Sequence, residues 1–440
     1  MNTPLSSTAA DRVIEALRLG EVPDEGLDAI GTGIDEYLAA FERELPRIER
    51  GDGRIRFVRG DFGTGKTFFL KAFGARARAQ GFATAYLRIS YPELPLGRPI
   101  ALYAATARDL QTRHRAIGAF RETIDSWIYR AHERVTDPSY GTPVDESDPK
   151  FDDAVAEQLS VMLGTLFDEA ALYAQVVAAY SRALSENRTD IARGLLQWIA
   201  GDEHVDASIK RYAHLRGALG QIDALAMFGG LTTILTQSGS KGLVLLIDEL
   251  ERVLHRPANQ RAEAYRSLQN FIGALTTNLR HVLVVVAGTS SFFEHPKGIR
   301  EVEPLRQRIE TTFDDVYPDL DAVQLKLPPF DRARLVEVGR KIVRIFVDHA
   351  QDSSIGTRVS ERVVIQIADD VIGAFGGDIA IAPRQFFRRL VSTLSRAKAY
   401  PEYDPSTDRL ERTTLVRDAS LADAEREVLT GARVQVPLDL

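Results

Sequence analysis

The sequence predicts an α/β fold: a parallel sheet flanked by helices, interrupted by a large helical insertion and followed by a C-terminal helical lid. Three observations predict it. First, the strand-like "RIRFVRG" runs into a glycine-rich turn, then into the helical "TFFLKAFGARARAQG" with Gly81 as its stop, then into a second strand, "FATAYLRIS". That order is a βαβ unit. Second, "GLVLLIDE" and "HVLVVVAGT" are near-continuous apolar runs, the pattern of strands covered on both faces. Third, from Pro99 to Ser238 the chain carries long helical stretches with no strong strand candidate.

The elements follow in order. Residues 1–50 read as helices: "DRVIEALRLG" sets Val13, Ile14 and Leu17 on one face, and "IDEYLAAFERELPRI" repeats apolar residues near the helical period. Between them, "GEVPDEGLDAIGTG" reads as a loop. The α/β core takes 51–98 and 239–330, with "VQLKLPPF" as a further strand. The insertion is 99–238, broken by the acidic, turn-rich "TDPSYGTPVDESDP". A helical lid spans 331–400 and a tail 401–440. No internal repeat of fixed period is present.

Composition narrows the function classes. With 44% hydrophobic and 27% charged residues, the chain of 440 is that of an ordinary globular protein. It has no cysteine, so disulfides and thiolate metal sites are excluded, and its 8 histidines show no metal-ligand spacing. The N-terminus lacks a basic stretch followed by an apolar core, and the longest apolar runs are too short to span a bilayer, so a cytoplasmic protein with no membrane partner is expected. A net charge of -7 argues against non-specific coating of nucleic acid, while leaving a local basic groove allowed.

Gly60-Asp61-Phe62-Gly63-Thr64-Gly65-Lys66-Thr67 satisfies the phosphate-loop pattern, with a strand before it and a helix after. Glycines let backbone N–H groups turn inward around phosphates, Lys66 reaches the β- and γ-phosphates of ATP, and the Thr67 hydroxyl takes an Mg2+ position. "LVLLIDELE" supplies an apolar strand tipped by acids. Asp248 would hold Mg2+, and Glu249 would orient and deprotonate the attacking water. Glu251, two residues further on, is a competing acid, and the pair could instead begin a solvated helix. Thr289 tips the next apolar strand, at the place for a polar group that senses hydrolysis. In "EPLRQRIE", Arg306 and Arg308 are candidates for an arginine supplied to a neighbouring subunit, or simply a solvated helix face. Arg384, in the first turn of a late helix after Pro383, could reach back to the nucleotide.

This ordered set resembles the AAA+ ATPases of the origin-recognition-like branch. The phrases "FVRGDFGTGKTFFLKAF", "GSKGLVLLIDELERVL", "VLVVVAGTSSFFEHPKGIREVEPLRQRI" and "IAPRQFFRRLVSTL" are similar to the BrxD-type ATP-binding proteins of BREX phage-defence islands, over residues 30–95 and 238–400. The resemblance implies a P-loop AAA+ core, a nucleotide-base loop within 1–50, ATP and Mg2+ as cofactors, and a homo-oligomer. It also implies action beside DNA, a helicase-like defence protein, or both. By carry-over, Lys66, Thr67, Asp248, Glu249, Thr289 and Arg384 keep the roles above, with Arg308 ahead of Arg306 as the trans arginine. Members of that branch usually carry a winged-helix domain after the lid, and the roughly 40 residues after Tyr400 are too few for one.

Between Arg98 and Arg134 the sequence interleaves seven arginines with Phe120, Trp127 and Tyr129. That is the composition of a groove for single strands, and equally of an amphipathic helix with buried aromatics and solvated arginines. Two functions stay open: an ATP-hydrolysing remodeller or translocase acting on DNA or a DNA-bound partner, and a nucleotide-dependent switch or scaffold with little turnover. Glu249 favours the first, because a pure switch needs no water-activating acid.

Overall fold

The computed structural model describes residues 5–94, 96–163, 170–202, 204–215, 224–314, 316–375 and 382–409. The tail expected from 401 therefore lies mostly outside the described residues. The chain forms two compact units.

The larger unit comprises Ala40–Phe57 and Phe73–Leu325. It holds most of a five-stranded sheet: β1 (Gly53–Arg59), β2 (Ala83–Arg88), β3 (Leu243–Asp248), β4 (Val282–Gly288) and β5 (Gln324–Lys326), in the order β2-β3-β4-β1-β5. β2 pairs parallel to β3, with Arg88 opposite Asp248, and β3 pairs parallel to β4. Phe57 donates to the Val323 carbonyl and Leu327 to that of Arg59, a register ascending along both strands, as in a parallel pair. Every residue of β3 and β4 is buried, as their apolar runs require.

Seven α-helices separate β2 from β3 among the described residues, running from Pro99–Asp109 to Ala224–Gln237. They share one apolar core with the sheet, joined by Phe120, Trp127, Leu159, Tyr180, Leu195 and Phe228. This decides the reading of the arginine-rich helix Ala119–Thr136. Phe120 and Trp127 face the core, and the Trp127 indole donates to the Gln237 side chain at 2.7 Å, while Tyr129 is 63% exposed. The bland alternative holds for the first two aromatics and not for the third.

The smaller unit comprises residues 1–39, Val58–Ala72 and Lys326 onward. Its core joins Val13, Ile14 and Leu17 of the helix Ser7–Leu19 to Leu335, Ile342, Phe346, Val363, Phe386 and Leu390 of the lid helices. The predicted apolar face of the first helix is thus buried against the lid. Its C-cap, Gly20, adopts φ 74, and any Cβ there would meet the Arg384 and Arg388 side chains at 2.8 Å. The stretch read as a loop from Gly20 to Gly33 contains one short helix, Leu27–Ile30, which forms because Leu27 and Ile30 both reach buried positions.

Candidate nucleotide-binding and hydrolysis site

The glycine loop lies in the smaller unit, between β1 and the helix Lys66–Ala79. Gly63 and Gly65 take φ 76 and 87, left-handed values that cost other residues about 1 kcal/mol or more and that turn successive N–H groups to one side. The Thr64 hydroxyl donates to the Asp61 carbonyl at 2.9 Å, which pins the turn from within. Lys66 is buried, and its Nζ donates to the Gly60 and Asp61 carbonyls at 2.7 and 3.0 Å. Its ammonium also lies 5.8 Å from the ring centre of the exposed Phe62. Thr67 follows in the first helical turn, half-buried. The loop therefore gathers a cation, a hydroxyl and inward-turned backbone N–H groups, a set complementary to a phosphate chain.

The larger unit carries the acids. Asp248 ends β3 and is 1% exposed. Its Oδ2 accepts from the Tyr86 hydroxyl at 2.7 Å and its Oδ1 from the Glu249 backbone N–H at 2.9 Å, so both oxygens are oriented. Burial, with the adjacent carboxylate, pushes the Tyr86 phenol well above its usual range and keeps it a donor. Glu249 stands at φ 61, ψ 40, a left-handed conformation rare for a side chain of this size. That turn aims its N–H back at Asp248 and starts the 3-10 helix Leu250–His255. The Glu249 carboxylate forms ion pairs with Arg88, at 3.3 Å, and with Arg252. The acids thus end a buried strand, and the solvated-helix alternative does not describe Asp248.

Thr289 follows β4 and is 3% exposed; its N–H donates to Glu251 at 3.1 Å and its hydroxyl shares a hydrogen bond with Ser291 at 2.7 Å. Glu251 thereby anchors the tip of β4. β3, β4 and β1 are consecutive in the sheet.

The two candidate trans arginines differ. Arg306 lies in the helix Glu303–Ile309, paired to Glu303 and to Glu310 at 2.6 and 2.8 Å, and the hydrogen bonds from Arg306 and then Gln307 hold Glu303 down at about 2. Arg308 is exposed and makes no ion pair or side-chain hydrogen bond with any described residue. Arg384 packs its stem along Gly20 in the smaller unit.

Four residues escape a reading of motifs alone: Tyr86, Arg88, Glu251 as a backbone anchor, and Arg252. Arg252 had a signal, since it stands one helical turn after Glu249. Tyr86 and Arg88 had only their place at the end of a predicted strand. Asp248 and Thr67 offer hard oxygen donors of the kind Mg2+ takes, and no cluster of three or more metal-ligating side chains occurs among the described residues. Each of the two suits an ion that completes its shell with water and phosphate oxygens.

Among the described residues, no helix is long and apolar enough to cross a membrane. No curated protein matches the chain. One similar solved structure is the Aeropyrum pernix ORC2 protein in ADPNP–ADP complexes, at 13% identity and a TM-score of 0.38. The match covers 90% of this chain and spans 66% of that protein's chain. The profile of the BREX system ATP-binding protein BrxC/D family matches residues 5–412. This chain belongs to the BrxC/BrxD family of BREX-system ATP-binding proteins.

Proposed function

We propose that this ATP-binding protein hydrolyses ATP with Mg2+ and uses the cycle to remodel, or translocate along, DNA or a DNA-bound partner in bacterial phage defence. The observation that carries the reading is the acid pair at the end of β3: a buried, doubly oriented Asp248 followed at once by Glu249. In this reading the glycine loop binds the triphosphate and Lys66 exchanges its contacts with the Gly60 and Asp61 carbonyls for phosphate oxygens. Thr67 and Asp248 would hold Mg2+, which would supply positive charge to offset that of the phosphates. Glu249 orients water and takes its proton; the bond from water oxygen to the γ-phosphorus forms as the bond to the bridging oxygen breaks, leaving ADP and phosphate. Thr289 reads the outcome at the tip of β4. Arg308 is the arginine offered to a neighbouring subunit, which requires a homo-oligomer, and Arg384 completes the nucleotide contacts from the lid. The setting is cytoplasmic, and the partner is DNA, a helicase-like defence protein, or both.

A second reading, a nucleotide-dependent switch or scaffold with little turnover, has its own observation. Glu249 is held in ion pairs by Arg88 and Arg252, and a carboxylate engaged by two guanidinium groups is not free to take up a water proton. Steady-state ATP hydrolysis by the wild type and by Glu249→Gln, each with and without single- and double-stranded DNA, separates the two. Turnover that rises with DNA and vanishes in the variant supports the remodeller. ATP binding without turnover dependent on Glu249 under any condition supports the switch.

A further inference from the structure

Within the larger unit, a polar hollow of about 310 Å³ opens beside Gly81 and Ser240, which lead into β2 and β3. These are the amino ends of the strands, whereas Asp248 ends β3 at its carboxyl end, roughly 20 Å away by strand rise. The hollow is therefore separate from the acid edge. Its lining includes Thr112, Arg113, His114, Ser126, Ser238 and Ser240. Arg113, His114, Ser126 and Ser240 make no side-chain hydrogen bond or ion pair with any described residue. Four polar side chains that no described residue engages, three of them exposed, are thus open to a ligand.

The charge balance selects the ligand. Glu122 also lines the hollow, but Arg115 pairs with it at 2.5 Å and cancels it. Arg113 remains, and Arg130 stands at the rim, its guanidinium 3.6 Å from where a Cβ on Gly239 would be. The helix Ala119–Thr136 brings its first residue to the hollow, and no side chain caps its N-terminus. At the end of the helix Ala224–Gln237, the Gly239 and Ser240 amides close onto the Thr236 and Leu235 carbonyls at 3.1 and 2.9 Å. The site is built for an anion with several oxygens. Tyr129 and Arg130 follow Ser126 by three and four residues on that helix and share its solvent face, with the Tyr129 ring 63% exposed.

We propose that this hollow seats a backbone phosphate of single-stranded nucleic acid, with the neighbouring unpaired base stacked on Tyr129. The proposal rests on the DNA-directed half of the proposed function and not on hydrolysis. A base held in a duplex could not reach an isolated ring beside a hollow of this size.

The test is fluorescence anisotropy of the full-length protein with a labelled oligothymidylate and a labelled duplex, at two salt concentrations. The wild type binds the single strand more tightly than the duplex. Arg113→Ala with Arg130→Ala weakens that binding about tenfold or more and lowers the salt slope by about 1. Tyr129→Ala weakens it about 5- to 100-fold, and Tyr129→Phe restores it. Arg121→Ala, on the same helix but paired to Asp125, leaves binding unchanged. ATP hydrolysis without DNA is unaffected in every variant. DNA binding insensitive to Arg113, Arg130 and Tyr129 overturns the site while leaving the DNA-directed reading in place. No binding of either DNA form overturns both. Duplex bound as tightly as single strand, or inorganic phosphate binding in place of the oligonucleotide, overturns the single-strand assignment.

Discussion

The glycine loop and the acid edge of β3 are built by different means. The loop is a main-chain construction: two left-handed glycines, a threonine closing onto its own turn, and a lysine satisfied by carbonyls five and six residues earlier. The acid edge is a side-chain construction wired across the fold. Asp248 is oriented by a tyrosine 162 residues away in sequence, Glu249 is held by Arg88 from the neighbouring strand, and Glu251 fixes the tip of β4. A main-chain cradle binds whatever phosphate chain fits its curvature and has little to regulate. An edge held by ion pairs can be engaged or released, because exposed pairs of this kind are worth only about 0–1 kcal/mol each. Binding and turnover should therefore be separable, residue by residue.

The largest effect that would sharpen this contrast lies outside both regions. If turnover also needs an arginine from a second subunit, Arg308→Ala should lower it by about 10³- to 10⁵-fold. Arg306→Ala, whose side chain is spent on Glu303 and Glu310, should change it less than about twofold. Mixing Arg308→Ala subunits with Glu249→Gln subunits should partly restore hydrolysis, and no restoration would argue against a shared site.

Next in size, Lys66→Ala should weaken ATP binding by about 10- to 100-fold, the loss of one charge-assisted hydrogen bond or two. Unchanged affinity in a calorimetric titration would remove the glycine loop from the account. The smallest effect probes the latch on the acid. Arg88→Ala removes one of the two ion pairs that hold Glu249, frees its carboxylate to engage water, and should increase turnover about two- to tenfold with ATP affinity unchanged. A fall in turnover would show that Arg88 contributes to the reaction instead of restraining it.

The same contrast explains what was legible in the sequence. Residues 60–67 could be read directly because a main-chain cradle is written in consecutive residues. β3 and β4 were legible from their apolar runs, β1 and β2 from their place on either side of the glycine loop and its helix, and Asp248 and Glu249 from standing at the end of β3. Tyr86 and Arg88 could not be assigned, since only the parallel register of β2 on β3 brings Arg88 opposite Asp248. The pairing of Arg306 was written locally: Glu303 and Glu310 lie three residues before and four after it, the spacings at which helical neighbours pair. Among the aromatics of the insertion, helical periodicity sets Phe120 and Trp127, seven residues apart, on one face and Tyr129 on the other, and packing against the helices that follow buries the first pair.

The most direct measurement is ATP affinity and steady-state turnover on the same preparation of Glu249→Gln. The account predicts wild-type affinity with turnover reduced by about 10²- to 10⁴-fold. Hydrolysis at the wild-type rate would contradict it, and would return Glu249 to a purely structural place at the end of β3.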